Sequence, residues 1–163
     1  MSCKNLIFSG LVILSFGVLT SCISIKVEKD SPKELKFRSI SKNNLSGIIE
    51  PLRIVIQDEE AYNKIWSSIW SHYSETVEKP KINFDEETLI LVASGMKNNS
   101  GYHVEISQVL SQKNGIVVKI KETIPNSKCN YSQVVTYPYE LISIKIKSGK
   151  YIFKSESVVG DCK

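Results

Sequence analysis

One stretch of this chain, Asp58 to about Tyr73, carries helical periodicity, and nearly everything after Pro80 is patterned as strand, which commits the fold to sheet with a single helix laid on it. Asp58 is a natural N-cap, and Glu59 and Glu60 complement the positive end of a helix. Tyr62, Ile65, Trp66, Ile69, Trp70 and Tyr73 recur at intervals of three and four residues, the stripe by which a helix covers a sheet. Thr88 to Ala93 is apolar almost throughout, as expected of a central strand covered on both faces. Tyr102, Val104 and Ile106 alternate with His103, Glu105 and Ser107. Asn114-Gly115 marks a hairpin turn, and Ile116, Val118 and Ile120 keep one phase in the return run to Glu122. Leu141 to Lys147 and Tyr151 to Phe153 flank Ser148-Gly149-Lys150 and predict another hairpin. Upstream, Leu35 to Ile40 alternates as a first strand. Pro51 weakens the next run, leaving Leu52 to Gln57 for firm pairing. The class is α+β, mostly antiparallel, a meander with one main amphipathic helix packed on it.

The first residues have a different logic. Lys4, the apolar run Leu6 to Val18 and the small pair Thr20-Ser21 follow the order of a secretory signal. The run is broken by Ser9, Gly10, Ser15 and Gly17, and it falls short of the roughly 20 apolar residues a spanning helix needs. Leu19-Thr20-Ser21-Cys22 has the make-up of a bacterial lipoprotein processing site. A thiol stands at the new amino terminus to carry a diacylglyceryl thioether, small residues precede it, and branched Leu19 lies three positions upstream. The expected organisation is a signal peptide over 1–21, a flexible tether over 22–34 and one domain over 35–163. The expected location is the bacterial cell envelope, with the membrane anchor at Cys22 on a periplasmic or surface face.

Composition narrows the partners. The formal net charge is +4, and Arg38 and Arg53 are the only arginines, so no clustered basic groove points to nucleic acid. With Cys3 in the leader and Cys22 lipidated, Cys129 and Cys162 remain as a lone pair in an oxidising compartment and are predicted to be bridged. The competing readings, half of a metal site or a reactive thiol, lack a CxxC spacing or a nearby histidine.

Catalytic chemistry finds no purchase. His72 lies at the flank of the helix stripe, and His103 lies on the phase opposite Tyr102 and Val104. Neither belongs to GxSxG or HExxH, and Asp85, Glu86 and Glu87 read as solvated charge in a turn. No GxxxxGK[ST] or GxGxxG occurs. The expectation is no catalytic residue, no cofactor and no metal.

Gly95, the run Ser100-Gly101-Tyr102-His103-Val104-Glu105-Ile106, then Pro125, Cys129 and Thr136-Tyr137-Pro138-Tyr139 resemble the carboxy-terminal domain of the PrcB family of protease-complex subunits. The resemblance spans about Ile48 to Lys163 and includes Trp66 and the Phe84-Asp85 turn. It departs at Ser100, where a second glycine is usual. Gly95 and Gly101 are expected to permit positive backbone angles at strand ends. The resemblance implies a small envelope lipoprotein that associates with, and helps to mature or stabilise, a secreted or surface protease without protease activity of its own.

Three functions follow. The first is a non-catalytic accessory lipoprotein presenting an edge strand or loop to a protein partner, with Ser100, Gly101, Tyr102, Tyr137, Pro138 and Tyr139 as the candidate interaction surface. The second is an envelope ligand- or glycan-binding module, which requires Trp66, Trp70 and Tyr139 to be exposed for stacking. The third is a hydrolase, which requires His72 or His103 in a concave pocket beside Ser, Asp or Glu.

Overall fold

The computed structural model describes residues 31–74, 77–146 and 149–162. The expected signal peptide, Cys22 and the first part of the expected tether lie outside the described residues. The elements run β1 Lys33–Leu35, β2 Phe37–Asn43, β3 Leu52–Ile56, α1 Glu59–Ile69, β4 Thr88–Ala93, β5 His103–Gln112, β6 Gly115–Ile124, β7 Tyr139–Ile144 and β8 Tyr151–Val159. They form a central sheet of order β2-β7-β4-β3 and an outer sheet of order β1-β5-β6-β8. All pairs are antiparallel except β6 with β8. The α+β class stands, with one helix beside mostly antiparallel strands.

Three layers result, helix on central sheet on outer sheet, and strand alternation builds both interfaces. In β4, Leu89, Leu91 and Ala93 face the helix and join Tyr62, Trp66 and Ile69 in one core. Ile90 and Val92 face the other way, with Val104, Val118, Ile120 and Ile142 in a second core. The uninterrupted apolar character of Thr88 to Ala93 is thus the signature of the middle layer, and all six residues are buried. Each fully buried large side chain stabilises the fold by about 1.5–3 kcal/mol.

The helix starts where the sequence places it. Asp58 is the N-cap, its side chain accepting the Ala61 amide at 2.8 Å. It stops at Ile69, short of Tyr73, because Gly47 N–H donates to Ile69 O at 2.9 Å and the Tyr73 amide donates to Trp70 O at 3.0 Å instead of continuing the ladder. Tyr73 therefore leaves the stripe and is 37% exposed.

Four further expectations are corrected. Leu35 to Ile40 is two strands rather than one, since Leu35 pairs with Val109 in the outer sheet and Phe37 with Ile144 in the central sheet. β1 opens at Lys33, so pairing reaches two residues into the span 22–34 read as tether. Strands β7 and β8 are no hairpin, because they belong to different sheets and β8 runs parallel to β6 for its whole length. The β5–β6 hairpin does form, but Lys113 and Asn114 are its loop residues and Gly115, with φ +134°, opens β6.

Candidate functional site

The registers place two poles on the molecule. One gathers the ends of β2, β4 and β6 with the starts of β3, β5 and β7. His103 Nδ1 shares a hydrogen bond with Asn44 Oδ1 at 3.0 Å and Arg53 pairs with Glu122, so the two sheets meet there at matching heights. The opposite pole holds the β5–β6 turn. Lys33, paired with Ser111, enters the fold on that side.

The first pole is built of three segments tied by backbone. Ser94 N–H donates to Pro138 O at 2.9 Å, and Met96 N–H to Ile49 O at 2.8 Å. Lys97 and Thr136 exchange amide hydrogen bonds at 2.8 and 2.9 Å. Gly95 has φ +68°, and a Cβ there would lie 2.7 Å from Ile49 O and 2.8 Å from Pro51 N, so this expectation of a glycine-only geometry holds. Gly101 is different. Its φ is not positive, and what it needs is space, since a Cβ would meet the Tyr131 ring at 2.7 Å and Pro125 at 2.8 Å. Tyr131 Oη in turn accepts the Asn126 amide at 3.0 Å. The Cys129–Cys162 disulfide fastens the end of the chain onto this same loop.

The candidate surface separates on inspection of burial. Ser100, Tyr102 and Tyr137 are part-exposed on the pole, and Gly101 is buried beneath it. Pro138 is buried and Tyr139 is fully buried, so both leave the surface. The reason is register: Tyr139 begins β7, faces α1, and shares a 2.6 Å hydrogen bond with Ser41 Oγ. Trp66 is only 8% exposed, packed at 5.8 Å from the Tyr62 ring, so stacking on Trp66 and Tyr139, which the glycan reading needs, has no surface to use. His72 is exposed with its ring 5.9 Å from Tyr137, and His103 is held by Asn44.

What sequence reasoning missed is apolar. Leu45, Ile49, Met96, Val134 and Val135 are all 46% exposed or more and all sit on the three tied segments. Met96 and Val135 line a depression of about 300 Å³ with Lys97, Asn98 and Tyr102, and Lys97 Nζ lies over the Tyr102 ring at 5.4 Å. The available signal was position: large apolar residues between Gly95 and Asn98, and between Gln133 and Thr136, have no strand period to bury them.

Charge pairs close one edge of the sandwich beside this pole. Lys42 reaches Glu105 at 2.9 Å and Glu140 at 3.8 Å, and Lys121 reaches Glu105 at 3.3 Å. Its hydrogen bond to Lys42 holds the Glu105 carboxyl below its usual range. Burial pushes Glu140 the other way, partly offset by the Ile106 amide that it accepts. At the opposite pole, Glu87 is held low, first by Ser143 Oγ and then by Arg38.

No curated protein and no solved structure matches the chain. Residues 88–145 match a family model described as PrcB C-terminal, a span narrower than Ile48 to Lys163. It runs from the first residue of β4 to just past β7 and contains Gly95, Ser100 to Ile106, Pro125, Cys129 and Thr136 to Tyr139. Two of the three segments that build the apolar pole, 94–101 and 131–138, therefore lie in the stretch that matches the PrcB C-terminal family model.

Proposed function

We propose that this protein is an envelope lipoprotein anchored through Cys22, and that its domain is a non-catalytic accessory subunit that holds a secreted or surface protease by the apolar pole. The observation that carries the reading is the concentration of Leu45, Ile49, Met96, Val134 and Val135 on one end of the domain, on loops made rigid by backbone ties. Exposed apolar groups gathered in one region, rimmed by polar residues such as Lys97 and Asn98, are what a protein interface requires. Entry of the chain at Lys33, on the far pole, agrees with this arrangement, because an anchor upstream leaves the apolar end pointing away from the bilayer. The likeness to the PrcB family supports a protease complex as the class of partner.

The test is co-purification from detergent-solubilised membranes with the parent protein, Cys22→Ala, and the pair Met96→Asp with Val135→Asp, followed by mass spectrometry. A protease accompanies the parent. It is lost with the surface pair while the thermal melt stays within a few degrees of the parent, since exposed substitutions usually change stability by less than about 0.5 kcal/mol each. Cys22→Ala leaves the membrane fraction. Retention of the same protease by the surface pair would refute the docking site, and unchanged membrane partitioning of Cys22→Ala would refute the anchor.

A further inference from the structure

The four outer edges of the two sheets are not alike. β1 covers three residues and β3 five, and β2 is interrupted by a register shift between Ser39 and Ser41. β8 is the long one. It runs nine residues without a shift, and among the described residues the outer sheet has no strand beyond it. Long, regular edges invite pairing with another chain unless something blunts them, commonly a lysine.

The phase of β8 is fixed at both ends. Ile116 N–H donates to Lys150 O at 2.8 Å, and Gly160 N–H donates to Ile124 O at 2.9 Å. In the parallel ladder between them the even-numbered residues of β8 bond β6, so the amides and carbonyls of Tyr151, Phe153, Ser155, Ser157 and Val159 point outward. Side chains alternate at right angles to this. Phe153, opposite Val118, faces the central sheet, and Lys154, opposite Lys119, faces away.

Laid antiparallel against itself about Ser155, this sequence is complementary. Ser155 meets its own copy, Phe153 meets Ser157 and Tyr151 meets Val159, each as a pair that exchanges both backbone hydrogen bonds. Between them, at the closer non-bonded positions, Lys154 meets Glu156 and Ile152 meets Val158. The lysine that would repel a foreign strand is thus neutralised twice in the symmetric pair, and Lys154, Ser155, Glu156 and Ser157 are all exposed and free to take part. We propose that β8 is a self-association edge, and that two copies of this chain join across a two-fold axis at Ser155 into one continuous sheet of eight strands. Such an isologous contact closes at two and cannot propagate through the same edge.

The test uses the full chain, purified in mild detergent, and sedimentation equilibrium. Lys154→Glu sets two Glu–Glu contacts across the axis, and Glu156→Lys sets two Lys–Lys contacts. Each weakens dimerisation by about tenfold or more, and the double exchange Lys154→Glu with Glu156→Lys restores it to within about threefold of the parent. Restoration separates a broken contact from a broken fold. Register is read by cysteine. Paired Cα atoms at a bonded position lie about 5.5 Å apart, so Ser155→Cys cross-links between copies through a peptide of 151–159, whereas Ser157→Cys, displaced from its own copy, does not. A parent that stays monomeric to about 100 µM, a double exchange no better than the single changes, or cross-linking at 157 in place of 155 overturns the proposal.

Discussion

The chain's last residues are fixed to the apolar pole by one covalent bond, and its removal can be worked through in advance. Cys129 and Cys162 are 33 residues apart. Closing a loop of that size removes about 12 to 13 cal/mol/K from the unfolded ensemble, so replacing both with serine costs roughly 4 kcal/mol at 25 °C. The folded state should change little, because the tail is held independently by the nine-residue β6–β8 ladder and by the Gly160 to Ile124 hydrogen bond. The loss therefore arises in the unfolded chain. Urea unfolding followed by circular dichroism should show a midpoint lower by about 2 M, given a slope near 2 kcal/mol/M, and a melting temperature lower by about 10–15 °C. A loss below about 1 kcal/mol would refute the loop-closure argument. So would a large loss accompanied by a changed near-ultraviolet spectrum in the native baseline, since that locates the effect in the folded state.

Other outcomes follow from the same geometry. Gly95→Ala should destabilise by more than about 2 kcal/mol in chemical denaturation, because the left-handed backbone and the approach of Ile49 O both resist a Cβ; a loss under about 0.5 kcal/mol would contradict this. Glu87 and Glu140 should give opposite pH slopes. Glu87 has a folded pKa below its unfolded value, so its contribution is full above the ordinary carboxyl range and is lost as pH falls through the folded value. Glu140 has a folded pKa above its unfolded value, so its parent side chain costs stability as pH rises through and beyond that range. Denaturation midpoints from pH 3 to 8 should therefore show the parent gaining on Glu87→Gln, and Glu140→Gln gaining on the parent, as pH rises; parallel curves would contradict both assignments.

The sequence spoke clearly wherever a local rule and the tertiary contact agree. Asp58 caps its helix, the continuous apolar run of β4 marks the middle layer, and the two distal cysteines meet. It was silent where a distant residue decides. Nothing near Tyr73 announces that Gly47 will capture Ile69 O and end the helix, and nothing around Lys36 separates a strand that crosses from one sheet to the other from one that stays. The polar run Lys154 to Ser157 lacks the alternation that identifies a half-buried strand, yet β6 alone supplies its backbone bonds, so β8 extends six residues past Phe153. For the candidate site, the motif around Gly95, Gly101 and Tyr137 lies on the apolar pole. Tyr139 was misjudged because an aromatic beside a proline reads the same whether it faces solvent or begins a buried strand.

The crossing at Lys36 also has a mechanical consequence. Any pull transmitted from the amino-terminal side reaches β1 first, and β1 is held by three pairs to β5, whereas β2 behind it is held by six to β7. β1 should peel away under low force and lengthen the chain ahead of Phe37 by roughly 10 Å while Phe37 stays seated in the inter-sheet core. The domain thus carries a short slack at the edge of its outer sheet that can absorb a tug before the central sheet is disturbed.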